Sequence, residues 1–528
     1  MTRRENSACS VGSAGSEHAP IMGTRTRDAD NLDGIAYFGL RKGTRVRDLG
    51  LWGLTGIIFF SVSGGPFGIE DAVGHAGPFV SILGFMIFAF IWAAPEALVT
   101  AEMSSAFPHN AGASVWVAAA FGPRQGFMNA WLSLAVTLVD SGIYPGLMVQ
   151  YVHQLFGSTT STPIFDAFIL YGFTLSLGLL NLLGISTVGD FLSKSMIIVL
   201  LPFILMALLS IPHLKPSNWF LGQAADHPVE WIGFLQVVFW NLNYWDCIST
   251  VVGEISNPRR TLPISLFLTV VLVSATYVVP LMTAVGVADA ATFPTWKSGQ
   301  FTHTAEAVGG RFLAFFLTIG IIFGNLGNMQ SAMVGASHHI EGLSDIGWLP
   351  TSLTTRTKNA NAPIAGILLC TFFMLVCVSL PFLQVVSFVN TLYAISMLQE
   401  FAAFLKLRRS HPGLKRPFIV PMCDVNNHVY AMALVAPAAI TCLVVILAPI
   451  FYLQWDTFKI ISIVTIVGFL VDIVLTKLRD RGTIKFSRSP PEALPPQAFL
   501  SHTQGVGLAP TRASSDYLVV SNFDTYVV

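Results

Sequence analysis

Near residue 62 a long apolar segment is interrupted by Ser63-Gly64-Gly65-Pro66-Phe67-Gly68, and the interruption runs straight into Glu70 and Asp71. Glycine favours bent and left-handed backbone and proline removes a helix donor, so this run ends a helix. The apolar sequence then resumes at once. In a water-exposed chain such a run is an ordinary turn. Within a bilayer, unpaired peptide groups have no water to bond, so irregular backbone is confined to places where it lines a protein cavity. A helix opened at mid-membrane, with freed peptide groups and half-helix ends facing a solute, is how secondary transporters build their sites.

Composition establishes the membrane setting. Over 528 residues the chain is 53% hydrophobic and 11% charged, against about 25% charged in an average soluble domain. Windows of about 20 apolar residues place twelve spans, the first at 50–73, the sixth at 229–255 and the last at 457–477. They define a transporter-like domain over 46–479. Residues 1–45 are rich in Ser, Arg and Gly and residues 480–528 in Pro and Ser, without helical or strand periodicity, so both read as disordered tails. The N-terminus has no short apolar stretch with a small-residue cleavage site, so the first span is expected to serve as its own signal.

Basic residues orient the spans. With both ends inside, nineteen Lys and Arg fall in inner segments, Arg124, Arg259, Arg260, Arg356, Lys358 and Arg408 among them; only Lys215, Lys297, Arg311 and Lys459 fall outside. This bias predicts an even number of spans and cytoplasmic termini. The six cysteines, Cys9, Cys247, Cys370, Cys377, Cys423 and Cys442, include no outer-loop pair to form a bridge. Cys370 and Cys377 share one helix face and read as small packing residues rather than a metal site. No phosphate-cradling loop followed by Lys-Ser/Thr occurs, so nothing reads as an ATP-driven motor. No paired-histidine zinc motif or Thr-Val-Gly-Tyr-Gly filter is present, and the adjacent His338 and His339 read as interfacial residues at the inner end of the eighth span. No enzyme chemistry, cofactor, metal or nucleic-acid partner is therefore expected.

A second interruption, Trp240-Asn241-Leu242-Asn243-Tyr244-Trp245-Asp246, lies in the sixth span. Two amides, a carboxylate and three aromatic rings are costly against lipid and so face an interior. Asn also satisfies peptide groups where a helix unwinds. The two breaks stand five spans apart, the offset required by a five-plus-five inverted repeat. The fold class read from the sequence is thus an all-α integral membrane protein of twelve helices, with broken helices one and six forming the core of its site.

Several motifs carry a resemblance. SGGPFGIED at 63–71, PEALVTAEMSSAFP at 95–108, VWVAAAFGPRQGF at 115–127, FWNLNYWD at 239–246, GEISNPRRTLP at 253–263 and EGLSDIGWLP at 341–350 are similar to the eukaryotic polyamine-uptake branch, found in plants and protists, of the amino acid, polyamine and organocation superfamily. The similarity runs from about residue 50 to 420. It departs after Pro108, where Asn110-Ala111-Gly112-Ala113 stands in place of the family's usual Asn-Gly-Gly-Tyr, in the inner loop that helps close the cytoplasmic gate. The resemblance implies proton-coupled import of putrescine, spermidine or related diamines at the plasma membrane.

The residues suit that job, because a polyamine places ammonium groups along a methylene chain and calls for carboxylates and aromatic faces. The candidate acids are Glu70, Asp71, Glu96, Glu102, Asp140, Asp246, Glu254 and Glu400. Glu70 and Asp71 lie about 100° apart on a helix, so at most one faces a shared cavity. Glu102 and Glu254 lie near the inner surface and read as structural. Asp140 and Tyr144 stand one turn apart and present an acid and a phenol together. The substrate-binding set is Ser63, Gly64, Gly65, Gly68, Asp140, Tyr144, Trp240, Asn241, Asn243, Tyr244, Asp246 and Tyr393. Proton coupling is assigned to Glu96, the acid deepest in an apolar span, with Glu70 as its rival. The competing reading is an amino-acid carrier of the same fold, which would seat a carboxylate on N–H groups freed near Gly64 and Gly65. A non-transporting sensor or an ion channel is the alternative from a different class.

Overall fold

The computed structural model describes residues 49–156, 162–377, 382–421, 427–451 and 455–494, and within them the chain is helical apart from loops and one isolated bridge between Leu49 and Ile255. The α-helices are α1 (Leu51–Val62), α2 (Asp71–Phe88), α3 (Ala94–Ala106), α4 (Ala113–Phe121), α5 (Pro123–Ser141), α6 (Ile143–Phe156), α7 (Pro163–Asn181) and α8 (Ile185–Ser210). They continue with α9 (Trp231–Asn241), α10 (Pro258–Val287), α11 (Gln300–Asp345), α12 (Ile364–Cys377), α13 (Phe382–Ser410), α14 (His428–Phe451) and α15 (Trp455–Asp480). Among the described residues nine helical stretches are long and apolar enough to cross a membrane. Three of the expected spans are not among these nine. The first and sixth are cut by their breaks into α1 with the start of α2, and α9 with a 3₁₀ segment at Asp246–Glu254; the ninth, α12, runs into residues 378–381, outside the described set.

Helices pack closely where small residues face each other, because lipid-embedded helices associate by close contact rather than by hydrophobic expulsion. On α1, a Cβ at Gly56 would sit 2.8 Å from the Ser193 nitrogen of α8. Helix α1 is thereby held against α8 and α11, the 3₁₀ segment at Asp246–Glu254 packs on α11 as well, and the buried core runs through the middle of the bundle.

The first break follows the glycines. Gly64 has φ +61°, Gly65 φ +127° and Gly68 φ +84°, a region that costs a residue with a Cβ about 1–2 kcal/mol. A Cβ on Gly64 would in addition lie 1.8 Å from Asn328 Oδ1. Gly64→Ala is therefore expected to lower the thermal midpoint of the detergent-solubilised protein by several degrees, read by a thermal-shift assay. An unchanged midpoint would mean that the break relaxes at no cost. The second break has no glycine. There Tyr244 itself takes φ 75°, a strained setting of the kind found at functional sites.

At the end of the bundle that carries the basic residues, ion pairs hold the loops. Arg356 binds Glu254 Oε1 at 2.6 Å and Glu341 Oε2 at 2.5 Å, and Asn110 donates to Glu254 Oε1 at 2.8 Å. Burial disfavours the Arg356 charge, yet hydrogen bonds and charge from Glu341 and Glu254 outweigh it and push the guanidinium above its ordinary range. Fully buried Glu102 pairs with Arg408 and Arg416 and accepts the Val420 N–H at 3.0 Å. Glu102 and Glu254 are thus structural. The C-terminal tail, expected to be free from 480 onward, is held further: Ser487 Oγ donates to the Ser344 carbonyl at 2.7 Å, Thr351 N–H to the Lys485 carbonyl at 2.9 Å, and Leu494 N–H to the Ala119 carbonyl at 2.9 Å.

Candidate functional site

At both breaks several freed peptide groups find partners within the chain. In the first, the Gly64 N–H donates to the Phe59 carbonyl at 3.1 Å, the Gly65 N–H to Ser63 Oγ at 3.2 Å and the Gly68 N–H to Glu70 Oε2 at 2.7 Å. Glu70 Oε1 takes the Gly299 N–H at 3.2 Å. Both Glu70 oxygens are therefore engaged by backbone donors, and the residue clamps the unwound segment to the loop before α11. In the second break the Tyr244 N–H donates to the Tyr393 hydroxyl at 3.0 Å, and the Trp245 and Asp246 N–H groups to Glu96 Oε1 at 2.8 and 3.3 Å. Tyr277 donates to the Asn241 carbonyl at 2.7 Å, while the Trp92 and Trp245 indoles donate to the Leu242 carbonyl at 3.1 and 2.8 Å.

Two cavities flank these breaks. One lies toward the basic end and is lined by Ile57, Ser61, Thr137, Asp140, Thr250 and Ser331 among others. The other lies on the opposite side and is lined by Ser63, Phe67, Gly68, Trp240, Asn241 and Ser298 among others. Tyr144, Tyr244 and Asn328 line both and form the partition between them. Among the described residues, Asp140 is the one carboxylate lining either cavity. Trp240 Nε1 donates to its Oδ1 at 3.0 Å and the Tyr144 hydroxyl to its Oδ2 at 2.8 Å. An acid is thus set among aromatic rings at the partition, an arrangement that attracts an organic cation through charge and ring faces together.

A second cluster lies off the cavities. The Tyr393 hydroxyl stands between Glu96 Oε1 and Asp246 Oδ1, 2.5 Å from the latter. A phenol has one proton to donate. It serves one acid, and the contact with the other is a hydrogen bond only when that acid carries a proton of its own. Glu96 Oε2 is buried without a partner, and Glu400, which accepts from Asn129 at 3.3 Å and Ser396 at 3.4 Å, likewise has a partnerless Oε2. Glu70, Glu96, Asp140, Asp246 and Glu400 are each at most 5% exposed, and among the described residues none of them has an ion-pair partner. Buried carboxylates in that state call for a proton or a bound cation.

The expected site residues therefore divide. Ser63, Gly68, Asp140, Tyr144, Trp240, Asn241 and Tyr244 line the cavities. Asp246 and Tyr393 belong to the Glu96 cluster; Asn243 donates to Asn390 Oδ1 at 3.4 Å; Gly64 and Gly65 shape the break. Asp71 lines neither cavity and lies 3.3 Å from Ser298 Oγ. His339, expected at the interface, is buried and lines the cavity toward the basic end, within 3.4 Å of Ser114 Oγ. Asn328 and Tyr277 were not singled out by sequence. Asn328 sits in Gly324-Asn325-Leu326-Gly327-Asn328, a run of small residues that signals close helix packing first.

The amino acid permease family model matches residues 49–471, which contain both breaks and both acid clusters. The chain is 35% identical to the polyamine transporter RMV1 of Arabidopsis thaliana, over 82% of its own length and 86% of that protein. It is 37% identical to the polyamine transporter PUT1 of Oryza sativa subsp. japonica, over 74% of each. More distantly, it is 24% identical to the Asc-type amino acid transporter 1 of Mus musculus, over 71% of this chain and 73% of that one.

Proposed function

We propose, from the premise that this chain belongs to the amino acid permease family and stands on its polyamine-transporter branch, that it is a secondary active carrier importing polyamines together with protons. In this reading twelve helices, related by a five-plus-five inverted repeat, cross the plasma membrane with both termini and the basic end in the cytoplasm.

The observation that carries the substrate class is the division of charge and donors around the cavities. The zwitterion reading needs free N–H groups at the first break, and those of Gly64, Gly65 and Gly68 are already bonded within the chain. What the partition offers instead is a carboxylate, Asp140, with three aromatic neighbours. That favours a solute that is all cation. Import of such a solute is assisted by the membrane potential, worth about 2.3 kcal/mol per charge per 100 mV, so a dication gains about twice that.

The proton is assigned to the Glu96–Tyr393–Asp246 cluster, where one phenol proton faces two carboxyl groups. Because Glu96 also holds the N–H groups of Trp245 and Asp246, protonating it weakens the anchor of the second half of helix six. That links proton binding to movement of the half-helix beside the partition.

In cells lacking their own uptake system, the protein is expected to confer saturable uptake of labelled putrescine. Unlabelled spermidine should compete, arginine and leucine should not, and a protonophore should reduce the rate. Uptake of labelled leucine with no uptake of either polyamine would overturn the proposal.

A further inference from the structure

Toward the basic end, four hydroxyl groups of the cavity share one property. Thr137 Oγ1 donates to the Ser133 carbonyl at 2.9 Å and Thr250 Oγ1 to the Cys247 carbonyl at 2.6 Å. Ser61 and Ser331 lie 2.7 Å apart, and both reach the Ile57 carbonyl, at 2.9 and 2.8 Å. Three contacts share two hydroxyl protons, so both protons are held inside that trio. A hydroxyl whose proton is committed to a helix carbonyl retains only its lone pairs. Four hydroxyls thus turn hydrogen-bond acceptors toward one space. Asn328, in the partition above, adds a buried Oδ1 without a partner.

One of these acceptors lies in line with the carboxylate. Thr137 precedes Asp140 by three residues on α5, on one helix face, and so lies about 4.5 Å below it along the axis. An ammonium seated on Asp140 therefore has, from one helical turn onward, oxygen lone pairs and no second carboxylate. That matches a chain bearing further N–H donors at intervals of a few methylenes and no acceptor of its own.

We infer that this hydroxyl-lined cavity is a second amine subsite, which receives the inner nitrogens of a longer polyamine whose leading ammonium sits on Asp140 and makes the carrier discriminate spermidine from putrescine. The inference rests on the polyamine reading above.

The test compares two substrates on the same variants. Thr137→Val and Thr250→Val keep shape and remove the acceptor. Each is expected to raise the KM for spermidine by threefold to tenfold while that for putrescine stays within twofold. Thr137→Ser, which restores the oxygen, should return the wild-type ratio, and surface labelling of each variant separates lost protein from lost affinity. Equal shifts for both amines, or none for spermidine, would overturn the subsite and leave the polyamine reading standing. A wild-type protein that carries neither amine would overturn that reading itself.

Discussion

Asp140→Asn is expected to raise the KM for putrescine by tenfold or more while leaving the protein folded and at the cell surface. Among the described residues the carboxylate is the one acid lining either cavity, and it is held by Trp240 Nε1 at 3.0 Å and Tyr144 at 2.8 Å. An amide fills the same volume. Its oxygen still accepts from Trp240, and its NH₂ group donates to Tyr144 once the phenol rotates its proton away, so the partition stays packed. What is lost is the negative charge facing an ammonium, a charge-assisted contact worth about 1.5–3 kcal/mol, or roughly 10- to 150-fold in affinity. Asp246→Asn is the informative companion. Sequence alone makes Asp246 the acid of the helix-six break, yet its Oδ1 accepts from Tyr393 and it lines no cavity. Its replacement should move the putrescine KM less than threefold. A KM unchanged in Asp140→Asn and raised in Asp246→Asn would reverse the two roles. Concentration dependence of labelled uptake, normalised to surface protein, decides between them.

Both breaks were legible in the sequence because each violates the local rule of its surroundings. Gly64, Gly65, Pro66 and Gly68 cannot continue a helix, and Asn241 and Asn243 have no reason to sit in an apolar span unless peptide groups there need partners. Which acid faces the solute was not legible. Glu70 and Asp71 adjoin the first break and read as candidate acids, Glu70 as the rival for proton coupling, but Glu70 closes on the N–H groups of Gly68 and Gly299, the latter 229 positions away. Glu96 and Asp246 each read as isolated. Their meeting at Tyr393, 297 and 147 positions away, depends on how α3, α13 and the second half of helix six rotate against each other. No periodicity in one segment records that rotation. Asn328 was hidden for a related reason: its neighbours Gly324 and Gly327 let Phe67 and Phe60 approach, and that packing signal masks a polar residue aimed at the partition. The tail shows the converse. Its Pro- and Ser-rich composition reads as unstructured, and only the Ala119 carbonyl supplied by α4, far away in sequence, gives Leu494 a place to dock.

Glu96→Gln is expected to abolish accumulation of polyamine against a gradient while sparing exchange of labelled for unlabelled substrate. The prediction follows from the proton count around Tyr393. One phenol proton serves Glu96 or Asp246, and whichever it does not serve must be protonated for the contact to hold. An inward step that carries substrate and proton together, followed by return of the empty carrier after the proton leaves, needs an acid that alternates between two states. Glutamine cannot alternate. Its neutral amide oxygen accepts the N–H groups of Trp245 and Asp246, now 2.8 and 3.3 Å from Glu96 Oε1, as a protonated acid would, so the variant resembles the loaded form and loaded carriers still cross. Exchange requires only those loaded steps and should persist within a few-fold of wild type in proteoliposomes preloaded with putrescine. Net uptake driven by an imposed pH gradient should fall to the equilibrium level. Normal accumulation at both pH 6 and pH 8 would remove Glu96 from the coupling step. The same pair of assays on Asp246→Asn would then show whether the proton travels on the other acid of the cluster, since a loss of accumulation with intact exchange in that variant alone assigns it there.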